Sequence, residues 1–567
     1  MGRDPSPGPR PFPRRAPRSR PPGSSGPGRS PRDDAPHAAR PTRAPPPVRA
    51  VRQDGPMAHP HESTVVHPTA QDEVAAAGSE LIGGPVGRRA VRGGGWWSPV
   101  RLIALIAIGM FALGMVQKAP CYDEYWFYGA TGQYTHACYS DIPHLYGSRG
   151  FAEGKIPYFD KLPDSVSGGM EYLEYPVLTG FFMQAASWLT PGGGGIREAQ
   201  LYWMINAGLL LVCAVVIAVC VTRLHRDRPW DGLLVALAPA LALNATINWD
   251  LLAGALTCAG LLLWSRGRAV GAGVLIGLAT AAKLYPALLL GPLLVLCWRA
   301  GRWREFGAAT LGAVGAWLAV NLPVLLLAPK GWSKFYTFSQ DRPVDVGSFW
   351  LIISQRADTA LESVNTYAMV LMALGCAGIA LLALSAPRRP RLAQLAFLVV
   401  ALFVLTNKVY SPQYVLWLIP LAVLARPRWR DFLIWQACEV LYYLGIWMYL
   451  AYRHGEDQQG LSVGGYQFAI LLHLVGTAYL CAMVVRDALR PEHDPVRRDG
   501  SDDPGGGVLD GAPDVFTLRR RRPSPSATPN AYVAWGTSRP AAPPPPVPSR
   551  PDRTWPPQTT DDVSRET

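Results

Sequence analysis

Charge is scarce through the middle of this 567-residue chain. Between residues 98 and 485 it is confined to short interruptions separating about a dozen nearly uncharged stretches. A soluble globular core does not repeat such stretches, so that class is excluded. Cysteine is sparse as well. Nine residues scattered along the chain exclude a disulfide scaffold, and the absence of a glycine period excludes a collagen-like fibre. No glycine-rich nucleotide motif follows a strand pattern and no P-loop is present. No CxxC or paired-His spacing accompanies Cys121 and Cys138, and neither a metal site nor a cofactor is expected.

What is present falls into three parts. Residues 1–97 and 486–567 are rich in Pro, Gly, Ser and Arg, and 98–485 is the apolar block; the average of the whole is a mean hydropathy of only +0.10. The net charge is +13, and the N-terminal part carries 15 Arg against 8 acids. Its prolines, and the lack of an aromatic platform or recognition fold, argue against nucleic acid. The C-terminal part balances 12 Arg with 12 acids. Both tails lack the apolar content that offsets ordering entropy and read as disordered. Arg519–Arg522 is a run that could meet anionic lipid or simply be solvated. No cleavable signal peptide is visible, and Met57 is an alternative start.

The block is an all-α polytopic membrane domain with about 12 transmembrane helices, at 101–119, 202–222, 232–247, 250–264, 269–282, 284–297, 306–328, 366–385, 392–405, 413–425, 432–451 and 466–485. Five connectors, beginning at Arg223, Ser265, Trp298, Pro387 and Arg426, hold 14 Arg. Twelve spans put all five, and both termini, in the cytoplasm of a multi-pass plasma-membrane protein. This requires the run Tyr175–Thr190, closed by Pro191 and four glycines, to lie at or dip into the outer face. The polar mass then sits outside, in loops at about 120–201 and 329–365. Cys121 and Cys138 share the first loop, in an oxidising compartment that permits a disulfide between them. The other seven lie in apolar spans, where Cys is a small hydrophobe.

The first outer loop packs carboxylates, aromatics and a few bases beside the bilayer. Such a cleft suits a sugar, whose ring faces stack on aromatics and whose hydroxyls take hydrogen bonds. Lys283 interrupts a 29-residue apolar stretch, where a lysine is costly and points to function, with snorkelling the alternative. Asp250 begins a helix at the same face, where its charge complements the dipole.

The run Asp141-x4-Tyr146, then Gly154-Lys-Ile-Pro-Tyr158 and Glu174-Tyr-Pro-Val-Leu178, resembles glycosyltransferase family 87. These are integral-membrane GT-C enzymes that include polyprenyl-phosphate-mannose-dependent α-mannosyltransferases of actinobacteria. Asn248-Trp-Asp250, Ala282-Lys-Leu-Tyr-Pro286 and Asn407-Lys-Val-Tyr-Ser-Pro-Gln413 with Tyr414 to Trp417 add to the likeness, which covers about 100–485. One departure is Tyr-Pro-Val where Tyr-Pro-Pro is usual. The resemblance implies a GT-C-like fold that moves a hexose, mannose foremost, from a polyprenyl-phosphate carrier to a hydroxyl of a glycolipid or polysaccharide. An inverting displacement needs one general base and cationic partners for the phosphate, and no nucleotide domain. The resemblance places the base at Asp141, and Tyr146, Glu174, Tyr175, Asp250, Lys283, Lys408 and Gln413 stand as substrate contacts; Asp123 and Glu124 are rival carboxylates that read as substrate contacts or solvated loop charges. Glu171 shares with Glu174 the alternatives of an acceptor contact, a divalent-ion ligand or a solvated helix start. Arg342 and Arg356 stand as donor-phosphate ligands or solvated loop residues, and His136 and His144 as incidental neighbours of Asp141. The rival class is a transporter or flippase of lipid-linked glycan. It would place its site at the midplane between repeats with interrupted helices, and no such repeat is visible.

Overall fold

The computed structural model describes residues 66, 71–81, 97–129, 131–162, 168–455, 459–498 and 500–518. Among them no strand occurs; the chain is helical throughout, in one unit within Ser63–Thr567. Five helices are long and apolar enough to cross a membrane: Pro99–Tyr125, Ile196–Leu224, Trp303–Leu327, Val364–Ser385 and Val463–Leu489. Five more apolar helices run 10–17 residues, and the polypeptide is a multi-pass membrane protein.

In chain order the elements used below are α1 (Glu73–Leu81), α2 (Pro99–Pro120), α3 (Asp141–Ser148), α4 (Val177–Trp188), α5 (Ile196–Leu224), α6 (Gly232–Ala236) and α7 (Pro239–Asn244). They continue with α8 (Asp250–Ser265), α9 (Ala269–Ala282), α10 (Leu290–Ala300), α11 (Trp303–Leu327), α12 (Pro329–Asp341), α13 (Phe349–Ala357), α14 (Val364–Ser385), α15 (Leu392–Thr406), α16 (Val415–Ala425), α17 (Trp429–His454) and α18 (Val463–Leu489). Eleven of the twelve apolar stretches are helical. The exception is 232–247, expected as one span, which is the broken pair α6–α7. Pro239 has no N–H to continue a helix, and Ala238 before it is extended at φ −66°, ψ 113°. The run after Tyr175 becomes the 12-residue α4, which packs on the end of α9 through a Thr179 Oγ1 bond to the Ala282 carbonyl (2.7 Å).

Small residues set the closest helix contact. A Cβ built on Gly273 would stand 1.9 Å from the Ala309 carbonyl oxygen, and one on Gly277 2.2 Å from that of Ala313. The α9 and α11 backbones meet because four residues separate each pair of small side chains. The chain direction then fixes two ends. The Arg-rich connectors lie at one end of α8, α9, α10 and α11; the start of α8, the end of α9 and the start of α16 lie at the other.

The connector end corrects the reading of the tails. In the N-terminal part, Asp72 Oδ2 accepts from the Trp429 amide (3.0 Å) and Gln71 Oε1 from Arg228 (2.8 Å), just before α1. In the C-terminal part, residues up to Leu518 are folded against the connectors. Asp494 and Arg391, both fully buried, pair at 2.7 Å, while Arg391 also donates to the carbonyls of Leu424 and Ala425 that end α16. Asp514 pairs with Arg299 (2.7 Å) and Arg389 (2.8 Å), and Trp264 donates to the Gly506 carbonyl (2.8 Å). Composition made this segment look too polar to fold. Its acids neutralise the connectors' arginines, and the arginines satisfy helix-end carbonyls, a gain invisible in an average. Arg519–Arg522 and Met57 lie outside the described residues.

Candidate active site

At the end opposite the connectors a cavity of about 620 Å³ opens between the first outer segment, α12 and the start of α16. Asp141 stands in its wall. It is the first residue of α3, fixed because Ser140 caps the helix through the Ile142 amide and donates to the Thr246 carbonyl (2.6 Å), while the Asp141 amide donates to Ile247 (2.8 Å). Among the described residues its carboxylate is held by neutral donors alone. Tyr139 gives its hydroxyl to Oδ1 (2.7 Å) and Asn248 its amide to Oδ2 (2.8 Å). The ionised neighbour and burial push the Tyr139 phenol well above its ordinary range, burial being the larger cause, so it stays a donor.

Asn248 uses both of its N–H bonds. The second goes to the Tyr175 hydroxyl (2.8 Å), and its own Oδ1 accepts from the Trp249 amide (2.7 Å). Over the Tyr175 ring, 5.5 Å from its centre, lies the Lys283 ammonium. Lys283 breaks out of α9 with an extended backbone (φ −153°, ψ 147°) and pairs with fully buried Asp250 at 3.5 Å. Asp250 Oδ1 also takes the Trp417 indole N–H (2.8 Å). One tripeptide, Asn248-Trp249-Asp250, therefore positions the carboxylate on one side and the ammonium on the other.

The remaining cations and acids of the cavity are paired. Glu174 is clamped by Arg149 through both oxygens, at 2.7 and 2.8 Å. Arg342 bonds Asp345 through Nε (3.0 Å), which holds its guanidinium above the ordinary value against the opposing effect of burial. The rest of the lining is aromatic or apolar, with Tyr134, Trp447 and Ile446 near Asp141 and Phe335 and Phe338 on α12, together with Gln413 and Tyr414. A cleft lined by one carboxylate held by neutral donors, by two cations and by ring faces can take a proton from a hydroxyl and hold a phosphate.

The model of glycosyltransferase family 87 matches residues 172–406. A solved structure of ArnT from Cupriavidus metallidurans bound to undecaprenyl phosphate is similar at 17% identity over 63% of this chain and 73% of that one, with a TM-score of 0.33. No curated protein matches. The matched segment contains Glu174, Tyr175, Asn248, Asp250, Lys283 and Arg342; Asp141, Lys408 and Gln413 lie outside its bounds.

Of the residues expected from sequence, the cavity brings together Asp141, Glu174, Tyr175, Lys283, Gln413 and Arg342. Asp250 stands directly behind, through Lys283. Others lie elsewhere. Asp123 and Glu124 are exposed on a π-turn, Cys121–Tyr125, that extends α2 away from the cavity lining. Tyr146 is buried, stacked on Tyr202 at 4.7 Å. Lys408 donates to the Gln340 carbonyl (2.8 Å), and burial, aided by the Arg342 charge, pushes its ammonium below the ordinary value. Glu171 forms an exposed pair with Lys161, and Arg356 bonds Gln467 (2.8 Å). His144 bonds Gln133 (2.9 Å), and His136 stacks on Tyr125 at 4.5 Å. Cys121 and Cys138 are disulfide-bonded, closing the turn that precedes Tyr139. Among the described residues no cluster of His, Cys, Asp and Glu suited to a metal ion occurs. Sequence reading missed Tyr139, Arg149 and Asp345 as partners. The signal for Tyr139 was its place two residues before Asp141.

Proposed function

We propose that this protein is a family 87 glycosyltransferase that transfers a hexose, mannose being the first candidate, from a polyprenyl monophosphate to an acceptor hydroxyl at the outer face of the plasma membrane. The observation that carries the reading is Asp141, a carboxylate without an ion-pair partner among the described residues, sharing one cavity with Lys283 and Arg342. In the proposed step Asp141 takes the acceptor proton as the acceptor oxygen forms its bond to the anomeric carbon. The bond from that carbon to the phosphate oxygen breaks, and its electron pair leaves on the polyprenyl phosphate. Lys283 and Arg342 offset the charge gathering there. Attack from the face opposite the phosphate inverts the anomeric centre. The aromatic wall near Asp141 supports a sugar-bearing acceptor, and the exposed apolar helices support a donor that arrives from the lipid.

The test is transfer from synthetic polyprenyl-phosphate hexoses by purified protein in nanodiscs, with lipid binding measured in parallel. Asp141→Asn keeps size and one set of hydrogen bonds but cannot accept the proton. Turnover should fall about 10²–10⁴-fold with donor binding retained. Near-parental turnover in this variant rejects the base assignment, and absence of hexose transfer from every donor favours a transporter.

A further inference from the structure

Behind the cavity lies a lysine that the proposed step does not touch. Lys118, in the last turn of α2, is fully buried and does not line the cavity. Among the described residues its ammonium is paired with no carboxylate. It donates to the Tyr139 carbonyl (3.1 Å) and to the Tyr443 hydroxyl (3.0 Å), with the Tyr443 ring centre 5.5 Å away. A lysine at a helix C-terminus ordinarily complements the dipole from the surface, its head in water. This one is withdrawn from water, which is costly for an unpaired charge, and its donors go to a different segment.

That segment is a strap of four residues, 136–139, and every one of its carbonyls is captured. Gln117, beside Lys118, donates to those of His136 (3.2 Å) and Ala137 (2.7 Å), the Trp126 indole to that of Cys138 (3.1 Å), and Lys118 to that of Tyr139. The Tyr443 hydroxyl, one helical turn before Trp447 on α17, donates to the Ala137 carbonyl as well. The Cys121–Cys138 disulfide ties the same strap to the residue that follows α2. Ala137 sits in the left-handed region at φ 49°, a conformation that persists in an alanine only where its surroundings hold it. What the strap delivers is Tyr139. Its hydroxyl donates to Asp141 Oδ1 (2.7 Å), and its ring packs on Trp447 at 4.9 Å.

We propose that Lys118 is a positioning residue of the Tyr139–Asp141 pair. Its ammonium fixes the Tyr139 carbonyl, and through that backbone the hydroxyl that presents the carboxylate to the cavity. The effect on turnover rests on the reading of Asp141 as proton acceptor; the effect on the strap rests on the geometry alone. An apolar side chain of similar length leaves the Tyr139 carbonyl buried without its donor, an unsatisfied group that recovers one only by moving. Tyr139 then turns with its backbone, and its hydroxyl leaves Oδ1.

Strap and turnover are read separately, both on the full chain in nanodiscs. Without substrate, hydrogen exchange at the Cys138 and Asp141 amides, which bond the Gln133 and Ile247 carbonyls at 3.0 and 2.8 Å, reports the strap. Lys118→Met should speed it about tenfold or more, the equivalent of one hydrogen bond from a charged group, while exchange in α18 stays parental. Unchanged exchange, or a rise spread equally over α18, overturns the proposal whatever the protein transfers. In the transfer assay Lys118→Met and Tyr139→Phe should each lower kcat about tenfold or more with the donor KM unchanged. The double variant should be no slower than the slower single, because both substitutions remove the same contact. Losses that multiply in the double variant place Lys118 outside the pair and overturn the proposal. If Lys118→Met yields no folded protein, Tyr443→Phe, which withdraws one partner of the ammonium and keeps the ring, is carried through the same cycle with the same outcomes. A parental protein that transfers no hexose refutes the transfer reading and leaves the exchange rates to decide the role of Lys118.

Discussion

Asn248→Asp is the sharpest probe of the site because it changes two atoms' chemistry and almost no volume. Asn248 donates to Asp141 and to Tyr175 at 2.8 Å each. A carboxylate there faces Asp141 with no donor between them, so the pair must share a proton, as adjacent carboxylates do. The shared proton neutralises the proposed base for part of its population. The variant should therefore lose about 10²–10⁴ in turnover at neutral pH and recover part of it as pH rises. Asn248→Ala separates the two effects. It removes one hydrogen bond to a charged group, about 1.5–3 kcal/mol, or roughly 10- to 150-fold in rate, without the recovery at high pH. The assay is a pH series of kcat with saturating donor in nanodiscs. An Asn248→Asp enzyme with parental turnover and a parental pH profile refutes the view that Asn248 governs the charge on Asp141.

Other expectations follow from the same geometry. Lys283→Met alone should lower folded yield, since breaking a buried pair costs about 3–5 kcal/mol and Asp250 is fully buried. The double variant Lys283→Met with Asp250→Asn should regain yield yet bind polyprenyl phosphate more weakly, measured by lipid titration; unchanged binding removes Lys283 from phosphate recognition. Gly277→Val should depress the unfolding temperature in detergent, overpacking costing about 1–3 kcal/mol, whereas Gly315→Ala, with no atom near its would-be Cβ, should not. Burial holds the His144 imidazole below its ordinary value, against the opposing field of Asp141. The unfolded chain then binds the proton more readily, so stability is lost as pH falls through the unfolded value near 6.5. His144→Gln should flatten that acid limb in thermal unfolding scans.

The helices were legible because apolar runs and Arg-rich connectors are local signals, and Lys283 declared itself by interrupting one. Asp141 was legible only through its motif, since an aspartate before Ile-Pro otherwise reads as a turn residue. What stayed hidden depends on contacts between distant segments. Nothing near Arg149 predicts that it clamps Glu174, 25 residues on. Asp123 and Glu124 read as substrate contacts because they sit with Asp141 in one acidic aromatic loop. The π-turn that continues α2 carries the first two out to solvent, and backbone direction of that kind is not written in composition. Proline at 239 was the visible clue that 232–247 would break. For the C-terminal segment no local signal existed, because its stability lies in partners more than 100 residues away.

Asp250 and Lys283 bracket a hairpin of α8 and α9 whose turn, Arg266 to Arg268, stays with the other connectors. For synthesis this makes the two charges a single electrically neutral cargo. Asp250 is made first, and its charge is offset once Lys283 follows, 33 positions later in the chain. The hairpin is thus the natural unit of insertion at this point of the chain, because it alone carries both the cation of the candidate cavity and the acid that anchors it.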